Sequence, residues 1–227
     1  TDPRCEEYYS YTPYGYCGGN PMNRIDPNGE AWRPTYSEDA DGNIIVNGYE
    51  WVPEEESYDE SGNLLRGLFH QAIFFSDNGT FNAEEKSNVG SSTATVHLAD
   101  GATETYDACT NPSSSDYATV PEGVYQAKVG SHKGKYTALR TSDTDGSGKI
   151  ELGEPNPNPN YSDGRTYAEG INIHKAGEKN LTGMTDNNSP VSAGCLLIDR
   201  NNWDGFIGNF DNASQKTNVV SVTVSRT

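Results

Sequence analysis

The sequence has few cysteines, no long apolar run and half as many basic as acidic residues. Its four cysteines, Cys5, Cys17, Cys109 and Cys195, lie at wide, irregular intervals. There is no CxxC pair and no His or Cys spacing suited to structural zinc. Cys5 and Cys17 are the nearest pair for a disulfide, which spacing alone does not decide. No apolar stretch is long enough to span a bilayer, and the opening TDPRCEEYYS has neither a basic start nor an apolar core, so membrane insertion is not expected. Sixteen Lys and Arg against 33 Asp and Glu give a formal charge of −17. That charge, with no Lys/Arg run to offset it, disfavours binding to nucleic acid or anionic lipid.

Only 33% of the residues are hydrophobic, while Gly (24) and Pro (12) are plentiful, a balance that predicts short strands joined by many turns. Residues 1–30 are rich in Tyr, Gly, Asn and Pro and lack helical periodicity, and they read as an irregular, turn-rich segment. Residues 31–60 read as an acidic hairpin and linker, with Asn47–Gly48 as the tight turn of DGNIIVNGYEWV. Trp32 and Trp51 are expected to anchor this segment. The runs LFHQAIFF, TATVHLAD, TETYDA, GVYQAKVG, KYTALRTS and TNVVSVTVS then predict a mainly β domain over 61–227, a small barrel or sandwich. A helix is expected from Asp199, as its cap, through Phe210, with Trp203, Phe206 and Ile207 on one face.

The stretch GINIHKAG alternates Ile171 and Ile173 against Asn172 and His174, which turns His174 away from the core and toward a cleft. PVSAGCLLI sets Ser192, Ala193 and Gly194 before Cys195. Small residues there permit close backbone approach, and amides of such a turn can stabilise an oxyanion. Cys195 is either a nucleophile with His174 as base or a packed thiol beside Leu196, Leu197 and Ile198. His70 and His97 read as packing or surface residues, and His132, in GSHKGK, as a turn residue with no chemistry.

DTDGSGKIELGE spaces oxygen donors like an EF-hand loop. Asp143, Asp145, Ser147, the Lys149 carbonyl, Glu151 and Glu154 stand at positions 1, 3, 5, 7, 9 and 12, with Gly148 at the sharp turn. The flanks are a strand and PNPNPN, which excludes a full helix-loop-helix. Two readings stay open: a structural Ca2+ loop, or a hydrated acidic hairpin with no ion. Neither gives a metal a part in thiol chemistry.

Two resemblances add to these readings. YGYCGGNPMNRIDPNG, within about residues 8–29, resembles the end of the RHS-repeat-associated core of Rhs-type polymorphic toxins. It implies an upstream RHS core in a longer chain, release near Asp26–Pro27, and a following effector delivered to the periplasm or cell wall of a target cell, with an immunity protein as partner. His174 followed by Ser192-Ala193-Gly194-Cys195, together with VPEGVYQA at 120–127, resembles the YkuD-like L,D-transpeptidase family over about residues 90–224. That resemblance implies an L,D-transpeptidase-like β fold with one or two short helices. It also implies peptidoglycan stem peptides as substrate, no cofactor for catalysis, Cys195 as nucleophile, His174 as base, and Ser192 and Gly194 shaping the turn and oxyanion site. Ala193 stands where the family motif has histidine, and Leu197 where Arg or Asn commonly follows. Arg200, Arg165 and Lys175 are candidates for the missing positive charge. Transfer, hydrolysis and exchange all stay open, as do a cysteine peptidase or amidase on another substrate and a noncatalytic wall-binding module.

Overall fold

The computed structural model describes residues 31–38, 44–52, 69–77, 92–112, 116–178, 181, 192–210 and 219–226. Asp26–Pro27, Cys5 and Cys17 lie outside them. Eight strands close into a barrel. In chain order they are β3 (Ala72–Asp77), β4 (Ser92–His97), β5 (Thr103–Cys109), β6 (Gly123–His132), β7 (Tyr136–Asp143), β10 (Asn172–Lys175), β11 (Leu196–Ile198) and β12 (Val220–Arg226). Around the barrel the order is β10-β11-β5-β4-β3-β12-β6-β7. Two small sheets lie outside it, one of β1 (Ala31–Glu38) with β2 (Ile44–Val52) and one of β8 (Lys149–Glu151) with β9 (Tyr167–Glu169). The chain is therefore mainly β, and of the two expected architectures it takes the barrel.

Strand alternation builds the interior. Ile73 and Phe75 of β3, Ala94 and Val96 of β4, Leu139 of β7, Ile173 of β10 and Val222 and Val224 of β12 are fully buried in one cluster. The single described helix, α1 (Trp203–Gly208), adds Trp203, Phe206 and Ile207 to that cluster, and Phe210 follows from just beyond it. This is the face expected of the helix, but its cap is not Asp199. The N-cap is Asn202, which makes no side-chain cap hydrogen bond, whereas Asp199 Oδ1 accepts the amide of Asn201 at 2.7 Å and shapes the turn upstream.

β12 alternates Val220, Val222 and Val224 inward with Ser221, Thr223 and Ser225 outward, yet both sets are buried. The outer set is covered by the β1–β2 hairpin, where the Tyr49 hydroxyl lies 2.7 Å from both Ser221 Oγ and Thr223 Oγ1. The same hairpin is tied down by Trp32, whose indole donates to Leu98 O at 2.7 Å and whose ring packs against Trp51 and His97. The hairpin differs from expectation in one respect. Asn47–Gly48 lies within β2, where Thr35 pairs with Gly48 and Tyr36 with Val46, leaving Asn47 as an extra residue. A residue pair that tolerates irregular backbone serves a bulge as readily as a tight turn. Among the described residues no helix is long and apolar enough to cross a membrane.

Candidate functional site

β10 is the strand that assembles the site. It pairs antiparallel with β7 (Asn172 with Arg140, Ile173 with Leu139) and parallel with β11 (Ile173 with Leu196, His174 with Leu197). Ile173 enters the core, so Asn172 and His174 share the opposite face, as the alternation predicted. The turn Ser192–Gly194 leads directly into β11, which brings Cys195 beside the start of β10. Its sulfur lies 3.9 Å from Gly170 O and against the backbone and side-chain amides of Asn172.

His174 faces away from the core but does not stand in an open cleft: it is only 7% exposed. The ring of His132, at the end of β6, stacks on it with centroids 4.1 Å apart, and the Tyr136 hydroxyl is 3.4 Å from His174 Nδ1. His174 Nδ1 also lies 2.8 Å from Lys175 O. A carbonyl only accepts, so this contact puts the hydrogen on Nδ1 and leaves Nε2 as the basic nitrogen. Burial first, then the neighbouring His132 and Lys133, push the His174 pKa down to about 4, against the opposing pull of Lys175 O. The ring is therefore neutral at neutral pH, the state required of a base. No hydrogen bond joins Cys195 Sγ to His174. Burial raises the thiol above its ordinary value, while Asn172 and the charge of Lys133 draw it back.

The turn before the cysteine is closed by Ser192. Its hydroxyl donates to Cys195 O at 2.7 Å and accepts the amide of Gly194 at 3.2 Å. Gly194 sits at φ +111°, and a Cβ there would meet Ala118 O at 2.9 Å, so both conformation and space require glycine. Because Ser192 engages the Gly194 amide, that amide is not free to serve as an oxyanion donor.

Sequence reasoning gave no part in the site to Tyr136 or Lys133, placed Asn172 on the His174 face without a role, and read His132 as a turn residue with no chemistry, whereas it ends β6 and stacks on His174. All come from β10 or from the β6–β7 hairpin. Lys133 is the one non-glycine residue at positive φ (52°) among the described residues, in the turn where Lys135 N donates to His132 O at 2.9 Å. Its charge acts on His132, His174 and Cys195 alike. Arg165, a candidate for that role, is instead held by Asp163 at 2.6 Å and Glu169 at 3.2 Å. Lys175 lies 5.9 Å from the Tyr136 ring centre. Of the other cysteines, Cys109 is buried, its thiol donates to Asn111 O at 3.3 Å, and it packs in a separate cluster with Leu197.

The acidic loop turns its side chains onto its own backbone. Asp143 Oδ2 accepts Glu151 N at 3.0 Å, Asp145 Oδ1 accepts Ser147 N at 2.8 Å, and Ser147 Oγ accepts Lys149 N at 3.2 Å. Glu151 Oε2 accepts the Thr166 hydroxyl, and Glu154 is exposed. Among the described residues no group of three or more His, Cys, Asp or Glu side chains is arranged to hold a metal ion, so the calcium reading of Asp143, Asp145, Ser147, Lys149, Glu151 and Glu154 gains no geometry. What is formed is the hairpin of β8 with β9, with Ile150 fully buried.

Comparison of the chain with family models, with curated proteins and with solved structures gives no match.

Proposed function

We propose that the chain is a cysteine enzyme that cleaves or exchanges an acyl bond in a peptide, with peptidoglycan stem peptides as substrate, acting as the effector of an Rhs-like toxin in the periplasm or wall of a target cell. The observation that carries the chemistry is the tautomer of His174: Nδ1–H is spent on Lys175 O, leaving Nε2 as the nitrogen that would take the proton of Cys195, a half-buried thiol. The substrate class and the delivery route rest on the two sequence resemblances.

In the first step the Cys195 proton passes to His174 Nε2 and Sγ attacks the substrate carbonyl carbon. The tetrahedral oxyanion is held by the Cys195 amide, since that of Gly194 is engaged. Collapse breaks the C–N bond, and the leaving amine takes the proton from His174, giving a thioester on Cys195. Water then yields hydrolysis, a D-amino acid exchange, and a second stem's amine a crosslink. The first two are favoured, because Ala193 and Leu197 supply no polar group to hold a second peptide. Cys195 and His174 must approach each other for the first step, a closure that substrate burial over the site would promote.

The test is incubation of the protein with tetrapeptide- and pentapeptide-containing muropeptides beside Cys195→Ala, with mass spectrometry of the products. Loss of a terminal D-residue, an exchanged residue or a dimer, each dependent on Cys195, is the expected result. If folded protein leaves every substrate unchanged, the acyl-transfer reading fails. The absence of a Cys195–His174 hydrogen bond would then favour a noncatalytic wall-binding module.

A further inference from the structure

The charge on this chain is strongly negative, yet among the described residues the uncommitted cations fall in one hairpin. Arg33, Arg165 and Arg226 are tied to carboxylates, and Lys149 and Lys175 lie over tyrosine rings. Arg200 has a partner of its own. Lys128, Lys133, Lys135 and Arg140 have neither an ion pair nor a ring partner among the described residues, and all four belong to the β6–β7 hairpin.

Register places Arg140 next to Asn172 and Lys128 one strand further out. Lys128 pairs with Arg140 across β6–β7, and Arg140 pairs with Asn172 across β7–β10. Directly opposed residues share a face, with side chains starting about 5 Å apart, so Lys128, Arg140 and Asn172 form one row across the outer surface. Asn172 ends that row against the Cys195 sulfur. Two residues along, Gly130 pairs with Ala138, and two further on, His132 pairs with Tyr136. The small middle pair separates a cationic row from the row that covers His174. A cleft of about 400 Å3 opens over β6 and β7, lined by Gln126, Lys128, Gly130, Arg140 and Ser142 among others, and Asn172, His174 and Cys195 are not part of its lining. Like charges placed directly opposite each other are destabilising, and among the described residues no carboxylate forms an ion pair with either of them. Asp143 and Asp145, at the end of β7 and just beyond it, accept from the backbone of their own loop.

We propose that Lys128 and Arg140 form a carboxylate subsite that holds a free carboxylate of an acidic peptide substrate next to the carbonyl attacked by Cys195. This rests on the acyl-transfer reading for the identity of the peptide. It assigns to the β6–β7 hairpin the positive charge that the residues following Cys195 do not supply. Arg140 presents a planar fork suited to bidentate carboxylate binding, and Lys128 adds a second charge one strand further out.

The test uses the full chain carrying Cys195→Ala. Calorimetry compares a tetrapeptide muropeptide with its carboxyamidated counterpart, with and without the pair Lys128→Gln and Arg140→Gln, both at exposed positions. The expected result is about tenfold or greater weakening for the free carboxylate, little change for the amide, and a flatter dependence on salt. Equal loss for both peptides, loss for neither, or no binding before the substitutions overturns the subsite. Lys128→Arg with Arg140 retained should keep the affinity, and loss there also counts against it. With Cys195 restored, turnover at unchanged KM in the double variant sinks the subsite and leaves the acyl-transfer reading. Carboxylate-selective binding without any turnover sinks that reading and leaves the subsite.

Discussion

The imidazole of His132 lies on that of His174, with centroids 4.1 Å and planes 26° apart. Neither ring is protonated cheaply in this arrangement: both are desolvated, His132 is further disfavoured as a cation by Lys133 and Lys135, and His174 by His132 and Lys133. His132 thus acts through His174, as a positioning residue that holds it neutral. His132→Ala should let the His174 pKa rise from about 4 toward its ordinary 6.5. The acid limb of kcat/KM should move up with it. His132→Phe, which keeps an aromatic cover without a second charge, should move it less. Imidazole NMR titration reads the shift directly, and a His174 pKa that stays near 4 in His132→Ala would remove this role.

Lys133 bears on the thiol in the opposite sense. Its charge is among the influences lowering a Cys195 pKa that burial has raised, and its strained backbone, costing about 1–3 kcal/mol, fixes it in the turn beside the site. Lys133→Gln should therefore shift the ascending limb of Cys195 alkylation by iodoacetamide to higher pH, slowing modification at pH 8 severalfold. Peptide mass spectrometry distinguishes Cys195 from the buried Cys109. An unmoved profile would show that Lys133 does not act on the sulfur.

The barrel was legible where strands are long and alternate. TNVVSVTVS becomes β12, and its inward valines and outward hydroxyl residues follow the period of two. The site was legible only in part, because its two halves come from different ranges of contact. Asn172 and His174 belong to a short strand whose alternation can be read locally, and Cys195 directly precedes another. His132 and Lys133 reach them only because β7 pairs with β10 while also pairing with β6, and nothing in GSHKGK records that closure. Asn47–Gly48 misleads for a different reason: the backbone freedom that marks a hairpin turn also permits the bulge opposite Thr35. The EF-hand-like spacing of the acidic loop does not decide between its two readings, since short polar side chains in a tight turn can be satisfied by nearby amides as well as by an ion.

Acid should weaken the fold through two histidines. His97, packed against Trp32 and Tyr49, and His174 both have pKa values lowered by burial to about 4. The unfolded chain binds protons at these sites near 6.5 while the folded chain does not, so stability rises with pH across that interval. The loss begins as pH falls below about 6.5 and levels off below about 4. At about 1.4 kcal/mol per pH unit it amounts to about 3 kcal/mol for each histidine. His97→Phe keeps the packing and removes one titration, so it should cut the acid-induced loss by about half of the two-histidine total. Urea midpoints at pH 7 and pH 5 measure this, and equal pH dependence in both proteins would exclude His97 as a source.

The closure of β3 against β12 depends on a charge buried at its end. Arg226 pairs with Asp77 in the parallel register, its Nη1 lies 2.5 Å from Asp77 Oδ2, and the Asp77 side chain is only 2% exposed. Thr110 and Asn111 donate to the same carboxylate oxygen, while Arg226 Nη2 donates to the carbonyls of Thr110 and Val120. Removing the cation leaves a desolvated carboxylate without its guanidinium, so Arg226→Met should cost about 3–5 kcal/mol. Asp77→Asn with Arg226→Met removes both charges and should recover a substantial part of that loss, because the penalty lies in the unpaired charge more than in the lost attraction. Chemical denaturation of the single and double variants at one pH separates the two effects. A double variant no more stable than Arg226→Met would mean that the guanidinium holds β12 chiefly through its carbonyl contacts.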